Sequence, residues 1–116
     1  MVKIKRVYED PASSDGVRIL VDRLWPRGMS KSRASVTFWL KEIAPTSSLR
    51  IWFGHRPERW RAFRSRYKKE LQEPERKVAF QRLRTLSRRR TISLLYAAKD
   101  TRHNSAVVLA GLLRRG

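Results

Sequence analysis

Polar side chains that could do chemistry follow two apolar runs of the sequence. The first run, VRILVD (residues 17–22), leads into Arg23 and Arg27, which flank a tryptophan and a proline. The planar guanidinium fork of arginine matches phosphate and carboxylate groups, and the proline fixes the backbone between the two forks. This cluster predicts an anion-binding loop. The alternative is that the two arginines pair with Asp22 or Glu42 and only hold the loop in place.

The second cluster follows the run ISLLYA (residues 92–97) and contains Lys99, Asp100, His103 and Asn104. Asp100 and His103 are three positions apart, close enough for the carboxylate to orient the imidazole if both project from one turn. We interpret them as a candidate acid–base pair beside the cation of Lys99, at a helix start that favours anions. The alternative is local capping, because Asp and Asn commonly begin helices, and His103 is then a surface residue.

A further histidine, His55, follows the segment Leu49–Phe53 and Gly54. We assign His55 to the candidate anion site. No HxH or HxxxH spacing relates the two histidines and the chain has no cysteine, so the sequence predicts no metal site. Glycine-rich phosphate loops and the GxSxG turn are also absent, so neither a cofactor nor a nucleophilic residue is predicted.

Strand and helix patterns alternate along the chain and must position these clusters. Residues Val36–Ile43 fit either a strand or a helix, and we predict a helix that ends before Pro45. The other predicted elements are strands at Val2–Val7, Val17–Asp22 and Ile92–Ala97, a short turn capped by Ser30, a short helix at Leu49–Phe53 capped by Ser47 or Ser48, amphipathic helices beginning at Pro57 and Pro74, and a last helix from Asn104 or Ser105 to Leu113.

This order of elements predicts one small α/β domain over residues 1–116. The sheet should be partly parallel, with three to four strands flanked by helices, since parallel neighbours need helical crossovers. Ligands of such sheets bind where the carboxyl ends of the strands meet. We therefore expect both clusters to share one hollow that binds a small phosphate- or nucleotide-like anion, as an enzyme or as a sensor.

The formal net charge of +18 is concentrated in one part of the chain, because residues 56–90 alone carry +10. Such a field attracts polyanions through counterion release. The alternative function is therefore a nucleic-acid-binding module that uses the basic helices of residues 57–90, with Trp25 and Trp52 as stacking candidates. A purely compositional trait of a solvated surface is the other interpretation. The cations proposed for nucleic-acid binding are Arg59, Arg64, Arg66, Lys68 and Lys69.

The sequence offers no membrane segment, since no stretch of about 18 apolar residues occurs and the first residues, MVKIKRVYED, lack the apolar core of a signal peptide. The absence of cysteine fits a reducing compartment. We expect a cytoplasmic protein with no membrane partner.

Four stretches of the chain resemble one bacterial family. They are DGVRILVDRLWPRG, WLKEIAPTSSLRIWFGH, PERWRAFRSRYKKEL and TISLLYAAKDTRHNSAVVL, and together they extend over nearly the whole chain. These strings are similar to those of the YeaO-like family of small bacterial proteins, a domain of unknown function. The resemblance implies a single-domain α/β protein of the bacterial cytoplasm and implies no particular activity.

The resemblance also implies which polar positions belong to the family and which belong to this chain. Arg56 departs from the family pattern, which has an acidic residue after the FGH string. The excess of arginine is thus a local trait, and a function shared with less basic relatives cannot depend on it. The polar positions implied to be family features are Asp22, Arg23, Arg27, His55, Lys99, Asp100, His103 and Asn104.

Overall fold

The chain forms one sheet in the computed structural model, which describes residues 1–115. The strands are β1 (Val2–Arg6), β2 (Val17–Leu20), β3 (Phe38–Trp39) and β4 (Ile92–Tyr96). They lie in the order β1-β4-β2-β3, and every neighbouring pair is parallel. Strand β4 is buried along its whole length, as expected for an apolar run between two parallel neighbours. The predicted α/β class is confirmed, and the sheet is parallel throughout the described residues.

Helices connect the strands. They are α1 (Lys31–Ala34), α2 (Ser47–Phe53), α3 (Trp60–Glu70), α4 (Pro74–Arg89) and α5 (Ser105–Arg115), with 3-10 turns at Ser13–Asp15, Lys41–Ile43 and Pro57–Arg59. Ser30 caps α1 as predicted, but the prediction that Ser47 or Ser48 caps α2 is wrong. The Oγ1 atom of Thr46 accepts the N–H of Leu49 at 3.2 Å instead, which satisfies a free donor of the first turn. None of the helices formed by residues 1–115 has the length and apolar content of a membrane span.

The helix predicted over Val36–Ile43 is wrong, because this segment contains β3 and a 3-10 turn. The N–H of Thr37 donates to the carbonyl of Arg18 at 2.7 Å, and the N–H of Leu40 donates to that of Leu20 at 2.9 Å. Pairing with β2 thus satisfies backbone groups that a helix would have satisfied internally. The alternation of Val36, Phe38 and Leu40 was the correct signal.

The two faces of the sheet are covered differently. Side chains such as Ile19 and Leu94 pack against the long helices on one face, with Phe63 and Leu83 among the buried partners. Two residues cover the other face, which consists of Leu20, Leu95 and Val7. They are Met29, just before the short helix α1, and Ala34, the last residue of α1. Burial of each large apolar side chain contributes about 1.5–3 kcal/mol, so the helical face provides most of the stabilisation.

A buried ion pair fixes the turn that precedes β2. Arg18 Nη1 lies 2.6 Å from Asp15 Oδ2, Lys5 Nζ lies 3.1 Å from the same oxygen, and Arg18 Nη2 donates to the carbonyl of Ala34 at 2.7 Å. Burial alone would raise the pKa of Asp15. The Ala12 N–H and the two cations outweigh that effect and hold the pKa below its ordinary value.

Candidate functional site

The loops that follow β2 and β4 meet at the carboxyl edge of the sheet. The N–H of Val21 donates to the carbonyl of Leu95 at 3.1 Å, and Asp22 Oδ2 accepts the N–H of Ala97 at 2.9 Å. Burial raises the pKa of Asp22, although the Ala97 N–H and the nearby His55 oppose the shift. One carboxylate therefore joins the two polar clusters and lies close to the third candidate group, His55.

Asp100 organises the loop between β4 and α5. Its Oδ1 atom accepts the N–H groups of Arg102 at 2.9 Å and His103 at 3.0 Å, and its Oδ2 atom lies 2.9 Å from His103 Nδ1. The hydrogen bond with the His103 ring is the main reason why the pKa of Asp100 lies below its ordinary value. The predicted contact between Asp100 and His103 is therefore present, and the same carboxylate also closes the turn.

Asn104 is the cap of helix α5. Its Oδ1 atom accepts the N–H of Val107 at 3.0 Å, and its Nδ2 atom donates to the carbonyl of Asp100 at 2.9 Å. The side chain is buried, so the amide is committed to these partners. Asn104 therefore has the capping role that the alternative interpretation gave it. Asp100 caps backbone N–H groups and also contacts the imidazole of His103.

A row of aromatic rings connects the two histidine loops. His103 lies edge-on to Trp60 with ring centroids 5.2 Å apart, Trp60 contacts Phe53 at 6.0 Å, and Phe53 contacts His55 at 6.4 Å. His55 is exposed, whereas the His103 ring is about one-third exposed and its Nε2 atom has no hydrogen-bond partner among residues 1–115. Within this range no three His, Cys, Asp or Glu side chains form a group that could hold a metal ion.

Arg23 contains the buried polar atom that the fold leaves unsatisfied. Its Nη2 atom reaches the carbonyl of Pro45 at a long 3.4 Å, and its buried Nε atom has no hydrogen-bond partner in the described chain. The predicted alternative of ion pairs from Arg23 or Arg27 to Asp22 or Glu42 is not observed among residues 1–115. The guanidinium of Arg23 therefore has a free donor in a region where water has little access.

The remaining cations of the two clusters are exposed. Arg27 contributes its backbone carbonyl, which accepts the hydroxyl of Tyr8 at 2.9 Å, while its side chain projects from the surface. Lys99 is also exposed. Both belong to the loops that meet at the carboxyl edge, but neither has the fixed geometry of Arg23 or His103.

Arg6 was missed in the sequence. Its Nε atom donates to the carbonyl of Ala98 and its Nη2 atom to that of Ala97, both at 2.9 Å, so the last residue of β1 holds the loop after β4. The alternating pattern of β1 gave no reason to separate Arg6 from the neighbouring lysines. The signal lies in the register, which pairs Arg6 with Tyr96 immediately before that loop.

The cations of the alternative nucleic-acid site divide into two groups. Arg64, Lys68 and Lys69 line an open cavity of about 400 Å³ on α3. The guanidinium groups of Arg59 and Arg66 lie 4.9 and 4.1 Å from the ring centroid of Trp52, and Arg59 also donates to the Trp52 carbonyl. Trp25 donates its indole N–H to the carbonyl of Met29 at 2.7 Å, and its role as a stacking residue stays a prediction.

Comparison with known proteins gives uncharacterized relatives of almost the same length. YeaO of Escherichia coli is 42% identical over 113 residues, which make up 97% of this chain and 96% of that protein. Uncharacterized proteins of Mycobacterium tuberculosis and Mycobacterium bovis are 42% identical over 112 residues, or 97% of this chain and 92% of theirs. No solved structure matches the chain.

A family model described as the inactive DUF488-N3 subclade matches residues 1–115. The predicted resemblance to YeaO-like proteins is thereby confirmed over the whole described chain. With this match and the identity to YeaO, the chain belongs to the YeaO-like family of the inactive DUF488-N3 subclade.

Proposed function

We propose that this protein binds a small phosphate-bearing metabolite at the carboxyl edge of its sheet. The observation that carries the proposal is the buried Nε atom of Arg23, which has no partner among residues 1–115. A buried donor without an acceptor costs about 1–3 kcal/mol, and such groups call for an explanation such as a bound ion. A phosphate oxygen is the acceptor that a guanidinium group matches best.

His103 supplies the second recognition group of this proposal. Its Nδ1 atom faces the Asp100 carboxylate, so the protonated ring presents an N–H at Nε2, whereas the neutral ring presents a lone pair there. In this proposal the N–H at Nε2 donates to the anion. Lys99 and Arg27 add positive charge around the same edge in this scheme, and His55 adds a polar ring.

Recognition fits this site better than turnover. Both oxygens of Asp100 are occupied by the loop and the His103 ring, so Asp100 has the role of a positioning residue rather than of a catalytic acid or base. The family description, an inactive subclade, agrees with a binding role. In this proposal Asp100 orients His103, and Asn104 maintains the turn that carries both.

A thermal-shift titration with inorganic phosphate and nucleoside monophosphates tests the proposal. A ligand present at 100 times its Kd should stabilise the protein by about 2.7 kcal/mol. The variants Arg23→Leu and His103→Ala should lose this stabilisation, and Arg64→Ala on α3 should keep it. The proposal is wrong if none of these ligands raises the melting temperature. It is also wrong if Arg23→Leu and His103→Ala both respond to the ligand like the wild type.

Nucleic-acid binding is a second candidate, because Arg64, Lys68 and Lys69 line one cavity on α3 and Arg59 and Arg66 stack on Trp52. Binding of a duplex DNA oligonucleotide should then weaken steeply with salt. Charge reversal at Arg64 and Lys69 should reduce the slope of log K against log salt by about 0.9 for each phosphate that the variant no longer neutralises. An unchanged slope in the double variant would reject this function, and Arg23→Leu is the matched control.

A further inference from the structure

An apolar groove of about 480 Å³ lies between β3 and α4. Its floor consists of the buried side chains Ile19, Leu40 and Leu83. Its sides include Phe38, which is 50% exposed, and Val78, which is 58% exposed. Strand β3 is an edge strand of the sheet, and no further strand of residues 1–115 covers it. The groove is therefore a contiguous apolar surface that opens to solvent, which is a common mark of an interaction site.

The rim of this groove is cationic. Arg82 and Arg89 line it together with Gln81 and Thr85, and no carboxylate of residues 1–115 lines it. Both arginines are exposed on α4. An occupant that buries its apolar side chains here must bring its polar flanks next to these guanidinium groups, so acidic flanks are favoured and basic flanks are disfavoured.

Charge also distinguishes between the kinds of occupant. A second copy of this chain carries the same +18, so self-association through a cationic rim meets repulsion. A nucleic acid would satisfy the arginines but would leave the apolar floor of Ile19, Leu40 and Leu83 without a complement. An acidic peptide with apolar anchors matches both the floor and the rim.

We propose that the groove between β3 and α4 binds an acidic segment of a partner protein. Apolar side chains of that segment fill the space between Phe38 and Val78, and its carboxylates pair with Arg82 and Arg89 at the rim. The groove and the carboxyl-edge loops share no lining residue, so the two proposals can be tested with separate variants.

Selection from a random peptide library displayed on phage, with the full chain immobilised, tests this proposal without a known partner. Enriched peptides should carry apolar residues next to Asp or Glu. After resynthesis, their affinity measured by fluorescence anisotropy should fall at least tenfold with Val78→Glu. The double variant Arg82→Glu, Arg89→Glu should weaken them similarly and, in a new selection, should enrich basic flanks instead.

Two matched controls keep this result specific. Ile51→Ser removes an apolar side chain that is 69% exposed on α2, and Arg64→Glu reverses a charge on α3; neither residue lines the groove, so neither should change peptide affinity. Far-UV circular dichroism verifies that each variant is folded, and the rim arginines remain testable if Val78→Glu does not fold.

Three outcomes would overturn the proposal. They are a selection that enriches no peptide, enriched peptides whose affinity is unaffected by all groove variants, and a wild-type chain that sediments as a dimer which Val78→Glu dissociates. The last result would show that a second copy occupies the groove.

Discussion

An aspartate and an arginine lie at each end of β2, and the two pairs have opposite surroundings. At the amino end of the strand, Asp15 and Arg18 form a 2.6 Å ion pair whose remaining hydrogen-bonding atoms also have partners. After the strand, Asp22 and Arg23 form no ion pair with each other among the described residues. Asp22 turns to the N–H of Ala97, and the Nε atom of Arg23 has no partner within residues 1–115.

The polar groups at the amino end of β2 have partners within the chain, whereas one at the carboxyl end has none among residues 1–115. Cations and an N–H group keep the pKa of Asp15 low despite burial, whereas burial prevails at Asp22 and raises its pKa. Polar groups at the amino end of β2 are thus used to stabilise the chain. Those at the carboxyl end lower the stability of the fold, as polar groups in binding sites commonly do.

Removal of Arg18 should have the largest effect on stability. Arg18→Ala leaves the buried Asp15 with Lys5 as its remaining cationic partner and leaves the carbonyl of Ala34 without its donor. Breaking a buried pair on one side costs about 3–5 kcal/mol. Urea denaturation measures the loss, and a change below about 1 kcal/mol would show that the two ends of β2 do not differ as argued.

Asp100→Asn should have a smaller, pH-dependent effect. The lowered pKa means that the carboxylate stabilises the fold above its unfolded pKa, and that this contribution is lost as the pH falls through the folded pKa. At neutral pH we expect a loss of about 1 kcal/mol, after allowance for partial exposure. Denaturation curves should converge below about pH 4, and a constant difference at all pH values would contradict the assignment.

Asp22→Asn should raise the free energy of unfolding, whereas Asp100→Asn should lower it. Because the pKa of Asp22 is raised, the wild type loses stability as the pH rises through the folded value, and the neutral amide avoids this loss. The asparagine oxygen can still accept the N–H of Ala97. We expect a gain below about 1 kcal/mol at pH 8 and no difference below about pH 4, measured by thermal unfolding. A loss at pH 8 would mean that the charge itself holds the two loops together.

Arg23→Leu should have the smallest effect on the ligand-free protein. Removal of the unsatisfied Nε atom should offset the loss of the long hydrogen bond to Pro45, so the free energy of unfolding should change by about 0.5 kcal/mol or less. Arg18→Ala, measured in the same urea experiment, gives the reference value for a structural arginine. A loss near that of Arg18→Ala would make Arg23 a structural residue and would weaken the proposed anion site.

Much of the fold could be predicted from the sequence because the strong periodicities are local. The run at residues 92–96 and the amphipathic pattern of α3 and α4 appear where the sequence places them. Strand β3 was not predicted, since a two-residue edge strand is specified by its pairing with β2 and not by its own composition. The cap at Thr46 was missed because three hydroxyl residues stand in a row.

Less of the candidate site could be predicted. The contact between Asp100 and His103 followed from their spacing, and the meeting of the two loops followed from the rule for parallel sheets. The role of Arg6 depends on a strand register that no local pattern encodes. The ion pair of Asp15 and Arg18 was not predicted either. Its burial depends on the loop segments that cover the second face of the sheet, which no local pattern encodes.

The left-handed backbone of His55 affects which substitutions this position accepts. Its φ of 57° is a left-handed conformation that directly follows another such residue, Gly54 at 52°. A side chain at this position carries steric strain that glycine would relieve. Directed evolution for heat tolerance alone should therefore replace His55 readily, whereas a screen that also demands ligand retention should preserve the imidazole if it takes part in recognition.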